Sequence, residues 1–192
     1  MRRNMCGERQ MRSSFFVLVL AALVSADAFA TDYPAAQSPA IPGGTGYVEI
    51  PGAKVPLDPA HSYKVIIDGL SAAAQPTELL PALGRASLIV NALAVAHVPS
   101  SNRKVVVIFH GVSVDGLLKN EGYHAKFGVD NPNLKAISEL RAAGVELFVC
   151  GQHMANHKLA IAALAPDIKL ATAASLVLIT YQNEGYAVLP DK

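Results

Sequence analysis

A chain of 192 residues with 52% hydrophobic content carries enough apolar mass for the core of one substantial domain. Sixteen Lys and Arg stand against fifteen Asp and Glu, for a formal net charge of +1, and no run of five like charges occurs. That balance excludes neither catalysis nor small-ligand binding, but it gives no footing to nucleic acid or to an anionic membrane as a partner.

Residues 1–30 do not belong to that core. "MRRNMCGERQMR" is basic, "SSFFVLVLAALVSA" is apolar, and "AFA" ends the run with small residues either side of a Phe. This is the layout of a secretory signal peptide, with cleavage expected after Ala30 and a mature chain starting at Thr31. The apolar run is shorter than the ~20 residues of a spanning helix, so a retained anchor is the second reading. Arg2-Arg3 lacks the rest of a twin-arginine motif, and Met11 is an alternative start. The expected location is periplasmic or secreted, with no membrane attachment after cleavage. Cleavage removes four Arg, one Glu and one Asp, so 16 − 4 = 12 basic and 15 − 2 = 13 acidic residues remain, a net charge of −1. It also removes Cys6. An exported chain left with Cys150 alone has no internal disulfide, so the thiol is free, reactive or paired in trans.

Residues 31–60 are rich in Pro and Gly and read as an extended arm, with a short strand at "YVEI". "YKVIIDGL" (63–70) is a β-branched run of strand length, and 77–98 has helical length and spacing, starting or kinking at Pro81. "RKVVVIFHG" (103–111) is a buried strand. A polar, Gly-containing loop follows over 111–130. Residues 131–144 are a helix in which Asn131 suits the N-cap, Pro132 the first helical position and Gly144 the stop. "VELFVC" (145–150) is a strand, 152–165 a helix, "DIKLAT" (167–172) a short strand, 173–185 a helix and "YAVL" a closing strand. Strands alternating with helices predict one α/β domain over 61–192, three layers deep, around a mostly parallel five-stranded sheet.

The candidate site is the end of the "VELFVC" strand. Ligands of open parallel sheets collect beyond the carboxyl ends of the strands. Cys150 is at such an end, with Gly151 letting the chain turn into the following helix. The first turn of a helix carries about half a positive charge, which favours a thiolate beside it. The competing reading is a small buried apolar side chain. His153 and His157 follow at three and seven residues and would share one helical face with Cys150. With His110, at the carboxyl end of "VVVIFH", they make a conceivable zinc or copper set, although short Cys/His spacings are common. His153 and His110 fit better as groups that orient or protonate a sulfur species. Asp115, Tyr123 and His124 sit in the 111–130 loop over the same crevice, as part of a lid or a subunit contact, or as solvated polar residues. Gly43-Gly44-Thr45-Gly46 precedes no helix and lacks the Lys-Ser/Thr ending of a phosphate loop.

"NPNLKAISELRAAGVELFVCGQ" followed by "PDIKLATAASLVLITYQNEGYAVL" resembles the DsrE/DsrF-like proteins, particularly their exported members. The likeness spans roughly residues 45 to 190, including "IPGAKVPLDP" and "YKVIIDG", and rests on the order of several short motifs. It implies a flavodoxin-like α/β fold, assembly into trimers or hexamers, and sulfur carried as a cysteine persulfide. The family's strand-end cysteine maps onto Cys150. The combined expectation is an exported protein whose Cys150, with His153 and His110, accepts or passes sulfane sulfur or undergoes thiol redox chemistry. A sulfur donor or acceptor protein is then a possible partner, no cofactor is called for, and the metal set stays secondary. The alternative is a non-catalytic oligomeric module holding a small ligand or a zinc or copper ion in the same crevice.

Overall fold

A computed structural model describes residues 33–192. The expected signal peptide, its cleavage site and Cys6 lie outside the described residues. Tyr33–Lys192 forms one compact unit.

The strands are β1 (Tyr63–Gly69), β2 (Arg103–Phe109), β3 (Glu146–Cys150), β4 (Lys169–Ala171) and β5 (Ala187–Pro190). They form one sheet in the order β4-β3-β2-β1-β5, and every neighbouring pair is parallel. The helices are α1 (Pro81–Val95), α2 (Asn120–Phe127), α3 (Leu134–Ala142), α4 (Gly151–Asn156) and α5 (Ala174–Asn183). The expected α/β fold with a parallel five-stranded sheet is therefore present.

Period-two alternation divides the strand residues between two faces. Val65, Ile67, Val105, Val107, Phe109, Leu147 and Val149 face a large core that also takes Leu83, Ala86 and Val90 of α1 and Ile137 and Leu140 of α3. Ile66, Val106, Ile108 and Cys150 face the other way, against Ala174 of α5. Strands buried on both faces explain the continuous Val and Ile runs of β1 and β2, which are apolar throughout rather than alternating.

Pro81 opens α1, where its missing N–H costs nothing. Two polar residues on the buried side of that helix have partners. Ser87 Oγ donates to Leu83 O, and Asn91 anchors the Pro/Gly-rich segment. Asn91 Oδ1 accepts from the amides of Ala40 and Ile41, while its Nδ2 donates to Ile41 O and Thr45 O. Ile41, fully buried, is thereby fixed in the main core. Complete burial of such a side chain contributes about 1.5–3 kcal/mol, so the segment is tied to the domain. Within it "YVEI" is not a strand: Tyr47 makes a single antiparallel bridge to Gln37.

Three other boundaries differ from the sequence expectation. Residues 111–130 are not an open loop but a 3-10 turn (Gly111–Leu117) followed by α2. Val114, Leu117, Leu118 and Tyr123 enter the core from it at irregular spacings that no single period detects. The helix expected over 152–165 stops at Asn156, because Lys158 takes φ +54° and Leu159 N–H closes onto Met154 O. That reversal brings Leu164, Ala165 and Ile168 into the core. Asn131 is not the cap of α3, which starts after Asn133. It is instead a buried junction: Nδ2 donates to Gly116 O and Leu118 O, and Oδ1 accepts from the amide of Asn133. The stop at Gly144, φ +88°, is as expected.

Candidate functional site

The order of the strands decides which strand ends are placed to meet a ligand. From β1 to β4 the chain steps across the sheet, and α1, α3 and α4 return over the large-core face, α4 through Met154. After β4 it crosses back to the far edge through α5 on the opposite face. The helices that follow β3 and β4 therefore leave on opposite faces. That is the switch point at which open parallel sheets bind ligands, and Cys150, paired with Ala171, stands on it.

Cys150 is only 7% exposed and belongs to the small core under α5. Its sulfur accepts a hydrogen bond from the amide of Ala174 at 3.4 Å. This N–H belongs to the first residue of α5, one of the four amides at a helix start with no intrahelical partner. The donor expected from the helix directly after the cysteine thus comes from a different helix. The six residues of α4 give it little more than one turn.

Gly151 is needed for space rather than for turning. A Cβ there would lie 2.6 Å from Ala171 O and 3.2 Å from Thr172 O. The ends of β3 and β4 approach too closely for a side chain.

His110 comes one residue after the last paired position of β2, Phe109 opposite Val149. It remains extended (φ −154°), so it shares the Cys150 face and neighbours Cys150 across the strands. Gly111, φ +59°, then takes the chain away in a left-handed turn. The half-buried imidazole is bonded through Nε2 to Asp68 Oδ1 at 2.7 Å. Asp68, next to last in β1, faces the same side as Ile66. Acid, imidazole and thiol thus stand on one face at the ends of three adjacent strands. Asp68 was missed in the sequence, although its parity with Ile66 in "VIID" and its place at a strand end are legible there.

His153, in α4, lies near this row. Its pKa is lowered by burial first and then by the neighbouring His157, with His110 a further repulsion and Asp115 an opposing attraction. The neutral ring is therefore favoured. A base with a depressed folded pKa stabilises the fold fully above the usual histidine pKa and loses that contribution as pH falls through the folded value. We expect an NMR titration to place the His153 midpoint below that of a solvent-exposed histidine, and His157→Ala to move it up. A midpoint at or above that of an unperturbed histidine would contradict the described surroundings.

His157 does not join a ligand set. It lies past the end of α4, stacked on His153 with ring centroids 4.1 Å apart, and its Nδ1 is 3.0 Å from His153 O. Among the described residues no group of three or more His, Cys, Asp or Glu side chains is placed to hold a metal ion. The zinc or copper set drawn from Cys150, His153, His157 and His110 is therefore not assembled: α4 ends before it can present both histidines beside the sulfur.

The remaining candidates divide. Asp115 pairs with Lys126 at 2.6 Å and is close enough to His153 to act on its charge. Tyr123 is buried and donates to Pro76 O at 2.8 Å, and burial raises its pKa. His124 meets Asp130 at 3.3 Å on the exposed side of α2. Neither Tyr123 nor His124 bonds to Asp68, His110 or Cys150. A large apolar groove, about 660 Å³, opens elsewhere, between α1 (Ile89, Leu93) and the edge strand β5 (Ala187, Leu189). It borders the start of β1 at Tyr63, at the opposite end of the strands from the thiol.

A family model described as the DsrE/DsrF-like family matches residues 81–190, more than half of the chain. That span includes His110, Cys150 and His153 and leaves out Asp68. Among solved structures, a protein of unknown function from Methanobacterium thermoautotrophicum is similar at 15% identity and a TM-score of 0.42, over 67% of this chain and 98% of that one. No curated protein matches.

Proposed function

The chain belongs to the DsrE/DsrF-like family, and from that premise we propose that Cys150 accepts sulfane sulfur and holds it as a persulfide. The observation that carries this reading is the amide of Ala174 directed at the Cys150 sulfur at the switch point of the sheet. A fixed backbone donor suits an anionic sulfur, because it neither moves nor titrates. In the loading step the Cys150 sulfur attacks the sulfane atom of a polysulfide or hydropersulfide. A sulfur–sulfur bond forms to Cys150, the donor's bond breaks, and the hydrosulfide or thiol fragment leaves with the electron pair. The thiol proton goes to His110 or His153, or to the leaving fragment. His110 and His153 act as the proton-handling groups.

The test is exposure of the folded protein to inorganic polysulfide followed by intact mass measurement. One added sulfur per chain is the expected result; a disulfide-linked pair of chains would mean thiol redox chemistry instead. On exported protein the same spectrum reads the amino terminus, proposed as Thr31 in the periplasm or the medium.

We also propose assembly into a homo-oligomer, a trimer or a multiple of it. Leu176 and Ile179, each 53% exposed and one helical turn apart on α5, support it, since apolar surface of this kind is what symmetric contacts cover. Light scattering at about tens of micromolar is expected to give a multiple of the chain mass, and a monomer there overturns the proposal.

A further inference from the structure

We infer that Asp68 is a positioning residue that fixes His110 as the Nε2–H tautomer, so that Nδ1 is the proton acceptor of the site. The inference rests on the thiol reading above and adds a residue that lies outside the matched family span.

A carboxylate can only accept, so the hydrogen in the 2.7 Å bond between Asp68 Oδ1 and His110 is on Nε2. A neutral imidazole has one further nitrogen, and it must then carry the lone pair. The sheet fixes the rest. Neighbouring strands lie about 4.8 Å apart, so a carboxylate on β1 and a sulfur at the end of β3 flank the residue that follows β2. The ring's far side faces away from β1 because Asp68 holds its near side.

The surroundings limit other outcomes. Ser113 Oγ donates to Gly69 O and His110 O, which fixes the backbone on either side of the pair. His153 is near enough to repel a charged His110, and Asp115, which attracts His153, is itself paired with Lys126. Asp68 has no cationic partner other than His110 among the described residues. The pair is thus a defined acid–imidazole unit at the strand ends beside the switch point.

The experiment uses the folded chain with 15N-labelled histidine. Long-range proton–nitrogen correlation reads the His110 tautomer, assigned through loss of its signals in His110→Ala, and iodoacetamide reads the Cys150 rate at pH 7. Wild type is expected to show Nε2–H. Asp68→Leu removes the acceptor, so the preference for Nε2–H should be lost and the alkylation rate should fall by about tenfold or more, towards that of His110→Ala. Asp68→Glu should restore Nε2–H. An Nδ1–H tautomer in wild type overturns the inference even if no variant folds, and so does an Asp68→Leu protein with unchanged tautomer and rate. Alkylation transfers no sulfur, so the two proposals separate. A wild-type thiol that alkylates in an Asp68-dependent way yet never gains sulfur sinks persulfide loading and leaves Asp68 in place. Normal sulfur loading with a rate indifferent to Asp68 does the reverse.

Discussion

Cys150→Ser should abolish the polysulfide-dependent gain of sulfur completely while leaving the fold almost untouched. In a chain starting at Thr31, Cys150 is the only cysteine, so no second thiol can take the sulfur. The serine oxygen is a better acceptor than sulfur for the amide of Ala174, so the hydrogen bond that ties α5 to β3 survives. Cys150→Ala is the less suitable control. It removes that acceptor inside a buried cluster and leaves an N–H unsatisfied, at a cost of about 1–3 kcal/mol. The measurement is intact mass before and after polysulfide, with a thermal melt of each variant. Loss of sulfur uptake in a serine variant with a melting temperature near wild type supports the proposal. Uptake that persists in the serine variant places the sulfur elsewhere and ends it.

The strands were legible because burial on both faces writes itself as unbroken Val and Ile, and the parallel sheet follows from helices placed between them. The end of β3 was legible for the same reason: "VELFVC" runs out at a Gly. What could not be read was which helix would meet the thiol. Proximity in sequence favours α4, but α4 follows the thiol for only six residues and packs on the other face of the sheet through Met154. The donor comes from Ala174, 24 residues on, and alanine carries no side-chain sign of such a role. Only the return of the chain to the far edge of the sheet puts α5 there. The misread 111–130 segment has a related cause. Its core residues are spaced by a 3-10 turn and then a two-turn helix, and neither period lasts long enough to stand out.

Gly151→Ala separates the close-approach account of the site from an account based on helix propensity alone, because the two predict opposite signs. Gly151 is the first residue of α4 and is not among the glycines with positive φ. By propensity alone Ala is favoured over Gly, by about 1 kcal/mol in a helix interior and by less at the first residue, so the variant should be slightly more stable. The packing says otherwise. A Cβ would fall 2.6 Å from the backbone oxygen of Ala171, and backbone cannot rotate aside as a side chain can. Relief requires β4 to move off β3, where the pairing is only three residues long. We therefore expect a loss of about 1–3 kcal/mol, the usual range for an overpacked site. For a domain of this size that lowers the melting temperature by about 2–4 °C per kcal/mol. The same displacement would carry Ala173 and Ala174 with it, since only Thr172 separates them from β4. The amide would then draw back from the Cys150 sulfur, and sulfur loading should slow more than the loss of stability alone explains. A variant that melts higher than wild type and loads sulfur at the same rate would show that the strand ends are not held together as described.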